Sequence, residues 1–338
     1  MSTQVEAVPT SVGDAVEMTA REAVNAALED ELASDPTVYM LGEDVASDGG
    51  VFKTNGGLPE KFPGRILNTP ICENTFIGLA IGMSVTGLRP VVEIMFSDFL
   101  PTAADAIIEE LPKFRFMTGG QCSLPVTVRS IGGGTGRFGT QHSATGESWF
   151  RAFPGLIVAT AGTPAGIYGV LRAAIRAQDP VLFFEHKGLY ARKGPVVRGD
   201  QSIAEIGKAA VVRQGSDVTI VSTLLMLDRS LQAAEKLAAE GIDAEVIDLR
   251  WLRPLDLPTV RASVEKTGKL VVAEEQVHAA GWGATVISRL VMDGVKLSAP
   301  PRVVGLADDL LIPYSPDLED AIIPSADAIA ASVRELSH

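Results

Sequence analysis

The stretch Asn68-Thr69-Pro70-Ile71-Cys72-Glu73-Asn74-Thr75-Phe76-Ile77-Gly78-Leu79-Ala80-Ile81-Gly82 hands an extended segment over to a helix. Pro70 biases the residue before it towards extended backbone. From Asn74 to Thr86 apolar and small residues recur at helical spacing, with Gly78 and Gly82 one turn apart. One carboxylate, Glu73, opens this otherwise uncharged run. A first-turn acid gains about 0.3–1 kcal/mol from the helix dipole, which is reason enough for a glutamate here. The flanks are apolar or small for many residues, however, so the spacing predicts a buried, closely packed junction. A charge there is costly unless something bonds to it, and a ligand atom or a partner subunit is the expected something.

Working outward, a helix is predicted from Met18 to Ala33, with Thr19 as N-cap and Glu22 completing a capping box. Strands are predicted over Val38–Gly42, Arg65–Asn68, Arg89–Met95, Pro125–Ser130, Leu156–Thr160 and Pro180–Glu185. Helical patterns cover Thr102–Met117 and, after Thr163-Pro164, Ala165–Ala177. Such alternation defines an α/β fold, a parallel sheet covered by helices on both faces. Between Gly188 and Gln201 the chain turns basic and rich in Gly and Pro, which reads as a linker. The alternation then restarts with strands at Asp217–Ser222, Asp243–Leu249, Lys269–Glu274 and Arg302–Leu306, and helices at Met226–Glu240, Asp256–Thr267 and Gly283–Met292. The organisation expected is a flexible N-terminal arm (1–16), a first α/β domain (17–188), a linker (189–205) and a smaller α/β domain (206–338).

The 338 residues carry a formal net charge of −13 with no basic run or basic face in the sequence, which argues against nucleic acid or an anionic membrane as partner. Two cysteines, Cys72 and Cys122, exclude a disulfide framework and make a reducing cytoplasm the default. No apolar run reaches the roughly 18 residues of a membrane span.

Two segments just past strand ends can carry chemistry, since ligands of open α/β sheets collect there. The loop Ile131-Gly132-Gly133-Gly134-Thr135-Gly136-Arg137-Phe138-Gly139-Thr140-Gln141-His142-Ser143 contains a literal G-x-G-x-x-G. Its third glycine opens no helix and no acid ends the next strand, so a dinucleotide reading is weak. A mobile, glycine-permissive loop presenting His142 fits better, because imidazole passes protons near neutral pH; a structural histidine capping the loop is the alternative. In Met95-Phe96-Ser97-Asp98-Phe99 the two rings are either core or a stacking surface for a heteroaromatic ligand, and the residues alone favour core. No HExxH, Walker loop, Cys/His ligand spacing or G-x-S-x-G elbow occurs, and His186, His278 and His338 read as structural or surface.

Seven segments in order, Leu41-Gly42-Glu43-Asp44-Val45, Gly64 to Glu73, Gly87 to Glu93, Gln141-His142-Ser143, Pro154-Gly155-Leu156, Phe184-Glu185-His186-Lys187 and Val246 to Arg250, resemble the beta subunit of the thiamine-diphosphate-dependent component of 2-oxo acid dehydrogenase complexes. The pyruvate, acetoin and branched-chain enzymes share this pattern. The resemblance implies a thiamine-enzyme pyrimidine-binding domain followed by a transketolase-like C-terminal domain. It implies that Glu73 bonds the aminopyrimidine nitrogen of the cofactor, favouring the imino tautomer that deprotonates the thiazolium carbon. It puts Phe99 on the pyrimidine ring, and His142 where protons move as the acyl group passes to the lipoyl arm of the acyltransferase component. Where family members carry Gln-His-Ser-Gln, this chain has Ala144. Some relatives bind potassium through main-chain oxygens; the matching positions are Val126, Ala174, Ala177 and Asp179, with Ala177 in place of an aspartate.

Relatives hold magnesium and the diphosphate through a Gly-Asp-Gly motif, and this sequence contains none. The resemblance therefore implies half a site, completed by an alpha subunit in an α2β2 heterotetramer. Pyruvate is the first choice of 2-oxo acid substrate, with acetoin and then branched-chain enzymes as alternatives. A different thiamine enzyme, such as a split transketolase, and an inactive scaffold of the same fold are the rival readings.

Overall fold

The computed structural model describes residues 15–47 and 49–336. The strands are β1 (Ala15–Thr19), β2 (Val38–Gly42), β3 (Ile66–Asn68), β4 (Arg89–Ile94), β5 (Thr127–Gly132), β6 (Ile157–Thr160), β7 (Val181–His186), β8 (Lys193–Val197), β9 (Ala210–Arg213), β10 (Val218–Ser222), β11 (Ala244–Asp248), β12 (Trp251–Arg253), β13 (Leu270–Val277) and β14 (Arg302–Leu306). One sheet has the order β12-β6-β7-β5-β4-β2-β3 and a second β14-β13-β10-β11-β9. Every pairing in them is parallel except β12 on β6 and β9 on β11. Strands β5 and β7 are buried along their whole length, as the interior of a parallel sheet covered on both faces requires.

The first helix, Ala20–Ser34, starts where its capping box dictates. Glu22 N–H donates to Thr19 Oγ1 at 3.1 Å and Thr19 N–H to Glu22 Oε2 at 2.7 Å. Thr163 caps the Pro164–Arg176 helix by accepting from Gly166 N–H. Four expectations are corrected. Residues 15 and 16, assigned to the arm, belong to β1; the rest of the arm, with His338, lies outside the described residues. The basic segment read as linker contains β8, which pairs antiparallel with β1 and ties the entry to the exit of the first unit. The long helix expected over Thr102–Met117 is instead a 3-10 segment (Ser97–Ala103), a π-helix (Asp105–Glu110) and one α-turn (Phe114–Met117). Pro112, which lacks an N–H and crowds the preceding turn, falls between the last two. Finally, β12 follows β11 of the second sheet yet joins the first, so one three-residue strand stitches the two units together.

Candidate active site

The carboxyl ends of the first sheet gather the chemistry, as the rule for open parallel sheets anticipates. Glu43 follows β2, Glu73 opens the helix after β3, Phe96 to Phe99 follow β4, the glycine loop leaves β5, and Lys187 follows β7.

Glu73 is the first residue of the Glu73–Val85 helix and is half-buried. Among the described residues no hydrogen bond or ion pair reaches its carboxylate. The junction is more open than its apolar sequence predicts: Ile71 is 83% exposed, and Leu79 and Val85 of the same helix are exposed too. A Cβ on Gly78 or Gly82 would meet nothing within 4 Å, so these glycines serve no packing inside this chain. Close enough to feel the Glu73 charge is buried Glu43, whose Oε1 has no partner. Burial, with the Glu73 charge adding to it, pushes the Glu43 carboxyl above its usual range.

The structure brings Phe99 and His142 together. Their ring centroids are 5.6 Å apart at 82°, and His142 also meets Phe96 edge-on at 4.6 Å and 88°. Phe96 is the buried centre of a cluster with Phe52 and Phe138, whereas Phe99 and His142 are half-exposed at its edge. Of the two rings that sequence reasoning left open, Phe96 is the core residue and Phe99 is available to a ligand. No contact joins Glu73 to either ring among the described residues, but its helix packs against the Ser97–Ala103 segment that carries Phe99. An unpartnered carboxylate and a half-exposed aromatic face on two adjacent packed elements fit a planar heterocycle with a protonated ring nitrogen.

The glycine loop is pinned rather than mobile. Buried Lys187 donates from Nζ to the carbonyl of Gly133 and, at 2.7 Å, to that of His142. The amide of Ala144 donates to the Asp98 carboxylate (3.1 Å). From the second unit, Glu275 accepts from Gly134 N–H (2.6 Å), Glu319 and Asp320 pair with Arg137, and the Ile312 carbonyl accepts from Thr140 Oγ1 (3.0 Å). The amide that a phosphate would use in the dinucleotide reading thus already holds a protein carboxylate. The glycines answer to packing: Gly133 has φ +82° with His186 Nε2 where a Cβ would go, and Gly139 has φ +72° with the Tyr314 ring there.

His186 is structural. Its Nδ1 accepts from Gly188 N–H at 3.0 Å and so carries no proton, which leaves Nε2–H to donate to Glu275 at 2.9 Å. Burial pushes Lys187 down to about 8 and, around a small cavity lined by His186 and Glu275, raises Glu147 to about 8 and Glu274 to about 7. Sequence reasoning assigned no role to Glu43, Lys187 or Glu275. The only signal available was that Glu43 and Lys187 directly follow strands; Glu275 lies within β13 and carried none. Val126, Ala174, Ala177 and Asp179 lie at the opposite end of the sheet. There the Ala177 carbonyl accepts from Arg89 (2.6 Å), the Val126 carbonyl from Val181 N–H (2.9 Å), and the Asp179 carboxylate pairs with Arg115.

Two family models match the chain: "Transketolase, pyrimidine binding domain" over residues 16–193 and "Transketolase, C-terminal domain" over residues 207–329. Fold and matches together define the class, a two-domain, transketolase-like thiamine enzyme. The chain is 42% identical to pyruvate dehydrogenase E1 component subunit beta-2 of Oryza sativa subsp. japonica, covering 96% of this chain and 87% of that one. It is 40% identical to acetoin:2,6-dichlorophenolindophenol oxidoreductase subunit beta of Cupriavidus necator, covering 93% and 95%. To 2-oxoisovalerate dehydrogenase subunit beta of Bacillus subtilis it is 37% identical, covering 94% and 98%. A solved structure described as split gene transketolase, inactive beta4 tetramer, superposes with a TM-score of 0.76 at 27% identity, covering 94% of this chain and 98% of that one. The chain belongs to the family of beta subunits of 2-oxo acid dehydrogenase first components.

Proposed function

We propose that this chain is the beta subunit of a thiamine-diphosphate-dependent 2-oxo acid dehydrogenase component, with pyruvate as substrate and acetoin or a branched-chain 2-oxo acid as the alternatives. The observation that carries the reading is the unpartnered Glu73 carboxylate on a helix packed against the segment that bears half-exposed Phe99, itself in contact with His142, on a strand-end face that no Gly-Asp-Gly motif completes. When bound, thiamine diphosphate supplies the carbon nucleophile that adds to a 2-oxo group. Glu73 accepts a hydrogen bond from the pyrimidine and holds the proton there, with the neighbouring Glu43 opposing any second negative charge. Phe99 orients the ring, and His142, held by Lys187 through its main chain, takes or gives a proton during acyl transfer to the lipoyl arm of the acyltransferase component.

Exposed Leu79 and Val85 on the helix that carries Glu73, with exposed Ile71 just before it, support a site closed by another subunit. That subunit is the alpha chain of an α2β2 heterotetramer, which holds the diphosphate and Mg2+, and the beta chain alone is inactive. A second-domain boundary near 206, a cytoplasmic location and a potassium ion near Val126, Ala174, Ala177 and Asp179 belong to the same reading. No step depends on the potassium ion, since the Ala177 carbonyl already carries the Arg89 guanidinium. Among the described residues no helix is long and apolar enough to cross a membrane.

The test is dye-linked oxidation of pyruvate, acetoin and 2-oxoisovalerate by this chain co-purified with its alpha subunit, with and without thiamine diphosphate and Mg2+, beside Glu73→Gln. Cofactor-dependent turnover that collapses in the variant supports the reading and names the substrate. A stable complex without turnover on any of the three, or an active preparation of the beta chain alone, refutes it.

A further inference from the structure

At the amino ends of β6 and β7, on the far side of the sheet from Glu73 and His142, the two units enclose a cleft of about 880 Å³. Its lining includes Arg115, Arg151, Arg253 and Arg289 against one carboxylate, Asp179. Only Arg115 uses that carboxylate, at 2.6 Å. The other three arginines come from neighbouring parts of the lining. Arg151 donates from Nη2 to Thr285 Oγ1, Arg253 from Nη1 to the Arg151 carbonyl (3.2 Å), and Arg289 stands one helical turn beyond Thr285 on the same helix face. No carboxylate is ion-paired with any of these three among the described residues, and the Arg151 Nε–H is buried without an acceptor.

A protein of net charge −13 has here gathered a local excess of three positive charges, from segments up to 174 residues apart. Burial, with repulsion from Arg253, makes the charged form of Arg151 harder to hold even with the Glu274 carboxyl nearby, so the group gains from an anion. Guanidinium forks match carboxylate and phosphate oxygens, and a concave site of this size at a domain junction is an ordinary ligand site.

We propose that this interdomain cleft binds a small organic anion carrying two or more phosphate or carboxylate groups, held between Arg151, Arg253 and Arg289 on one wall and Arg115 on the other. The site is separate from the proposed catalytic face and does not rest on the catalytic reading. The ligand bridges the first sheet and the second unit at the point where β12 crosses between them.

The experiment is isothermal titration of the full chain, and of its complex with the alpha subunit, with inorganic phosphate and with fructose 1,6-bisphosphate at constant ionic strength. Saturable binding is expected, with the bisphosphate at least tenfold tighter than phosphate. Arg289→Gln, at an exposed helix position that folding does not need, weakens the bisphosphate about tenfold, the loss expected for one charge-assisted hydrogen bond. Arg289→Glu abolishes binding, whereas Lys113→Gln, a lysine outside the cleft, leaves it unchanged. The proposal is overturned by the absence of saturable binding or by wild-type affinity in both Arg289 variants. Binding to the free chain that disappears in the complex also overturns it, and assigns the cleft to subunit contact.

Discussion

Replacing Lys187 by methionine isolates what holds the His142 loop in place. The ammonium donates to two carbonyls, those of Gly133 and His142, at either end of the loop. A hydrogen bond from a charged donor contributes about 1.5–3 kcal/mol, so the tether amounts to about 3–6 kcal/mol. Burial works against it: the lysine sits at about 8 instead of 10.5, which costs the charged form about 3 kcal/mol. Methionine removes both effects, together with the ammonium's contact over the Phe138 ring (5.5 Å to the centroid), while keeping an aliphatic side chain of similar length. Global stability at pH 7 should therefore change by no more than about 2–3 kcal/mol, while local opening of residues 133–146 becomes easier by about 3 kcal/mol, or roughly a hundredfold in amide exchange.

Lys187→Met also has a pH signature. The folded value lies below the unfolded one, so between about pH 8 and 10.5 the unfolded chain binds the extra proton and wild-type stability rises with pH; the variant lacks that rise. Hydrogen exchange read by mass spectrometry, with urea unfolding at pH 7 and 9.5, measures both. In the assembled enzyme, lipoyl transfer should fall more than dye-linked oxidation. Unchanged exchange in residues 133–146 would refute the tether, as would collapse of the whole chain.

Glu147 gives the opposite slope: held at about 8, it keeps its proton in the folded chain after the unfolded chain has lost it, so this group makes stability fall as pH rises from about 4.5 to 8. Glu147→Gln should match the wild type near pH 4.5 and exceed it by on the order of 4 kcal/mol at pH 8, read from urea midpoints; equal pH slopes would contradict this. Arg129 is fully buried between Glu93 (2.7 Å) and Glu185 (2.7 and 3.0 Å), and Arg129→Met should cost about 3–5 kcal/mol because two carboxylates are stranded without a counter-charge. A loss under about 1 kcal/mol would mean that the cluster is not held as an ion pair. Gly139→Ala, at φ +72° against the Tyr314 ring, should loosen the contact between the loop and residues 312–323 and cost at least about 1–3 kcal/mol, visible as new proteolysis at the loop.

Local regularity made much of the fold legible. Strand β2 runs from Val38 to Gly42 as its continuous apolar run implies, and the Thr19/Glu22 capping box places the start of the first helix because its hydrogen bonds close within four residues. What escaped are elements whose partners lie far along the chain. Strand β8 reads as a linker because its strand character comes from pairing with β1, and β12 has three residues and no periodicity of its own. The Thr102–Met117 pattern has helical spacing, but spacing does not choose between 3-10, π and α geometry around Pro101 and Pro112.

The site divides along the same line. Glu73, Phe99 and His142 were legible as a carboxylate, an aromatic and an imidazole just past strand ends, because the carboxyl edge of a parallel sheet is a position that sequence alone can identify. The exposure of the Glu73 helix was not, since an apolar pattern looks the same whether its cover is this chain or another subunit. Nor was the restraint on the glycine loop. Lys187 lies 45 residues beyond His142, whose carbonyl it holds, and Glu275 lies 141 beyond Gly134, whose amide it accepts from. Tyr314, packed on Gly139, comes from further still along the chain, and it and Glu275 reach the loop only once both units are folded. Arg115, Arg151, Arg253 and Arg289 are scattered along a chain of net charge −13, and they become a basic cleft only where the two sheets meet. Residue type and short-range spacing thus determined the elements and the chemistry at their ends, whereas burial, pairing and charge density depend on distances between segments far apart in sequence, which only the tertiary structure sets.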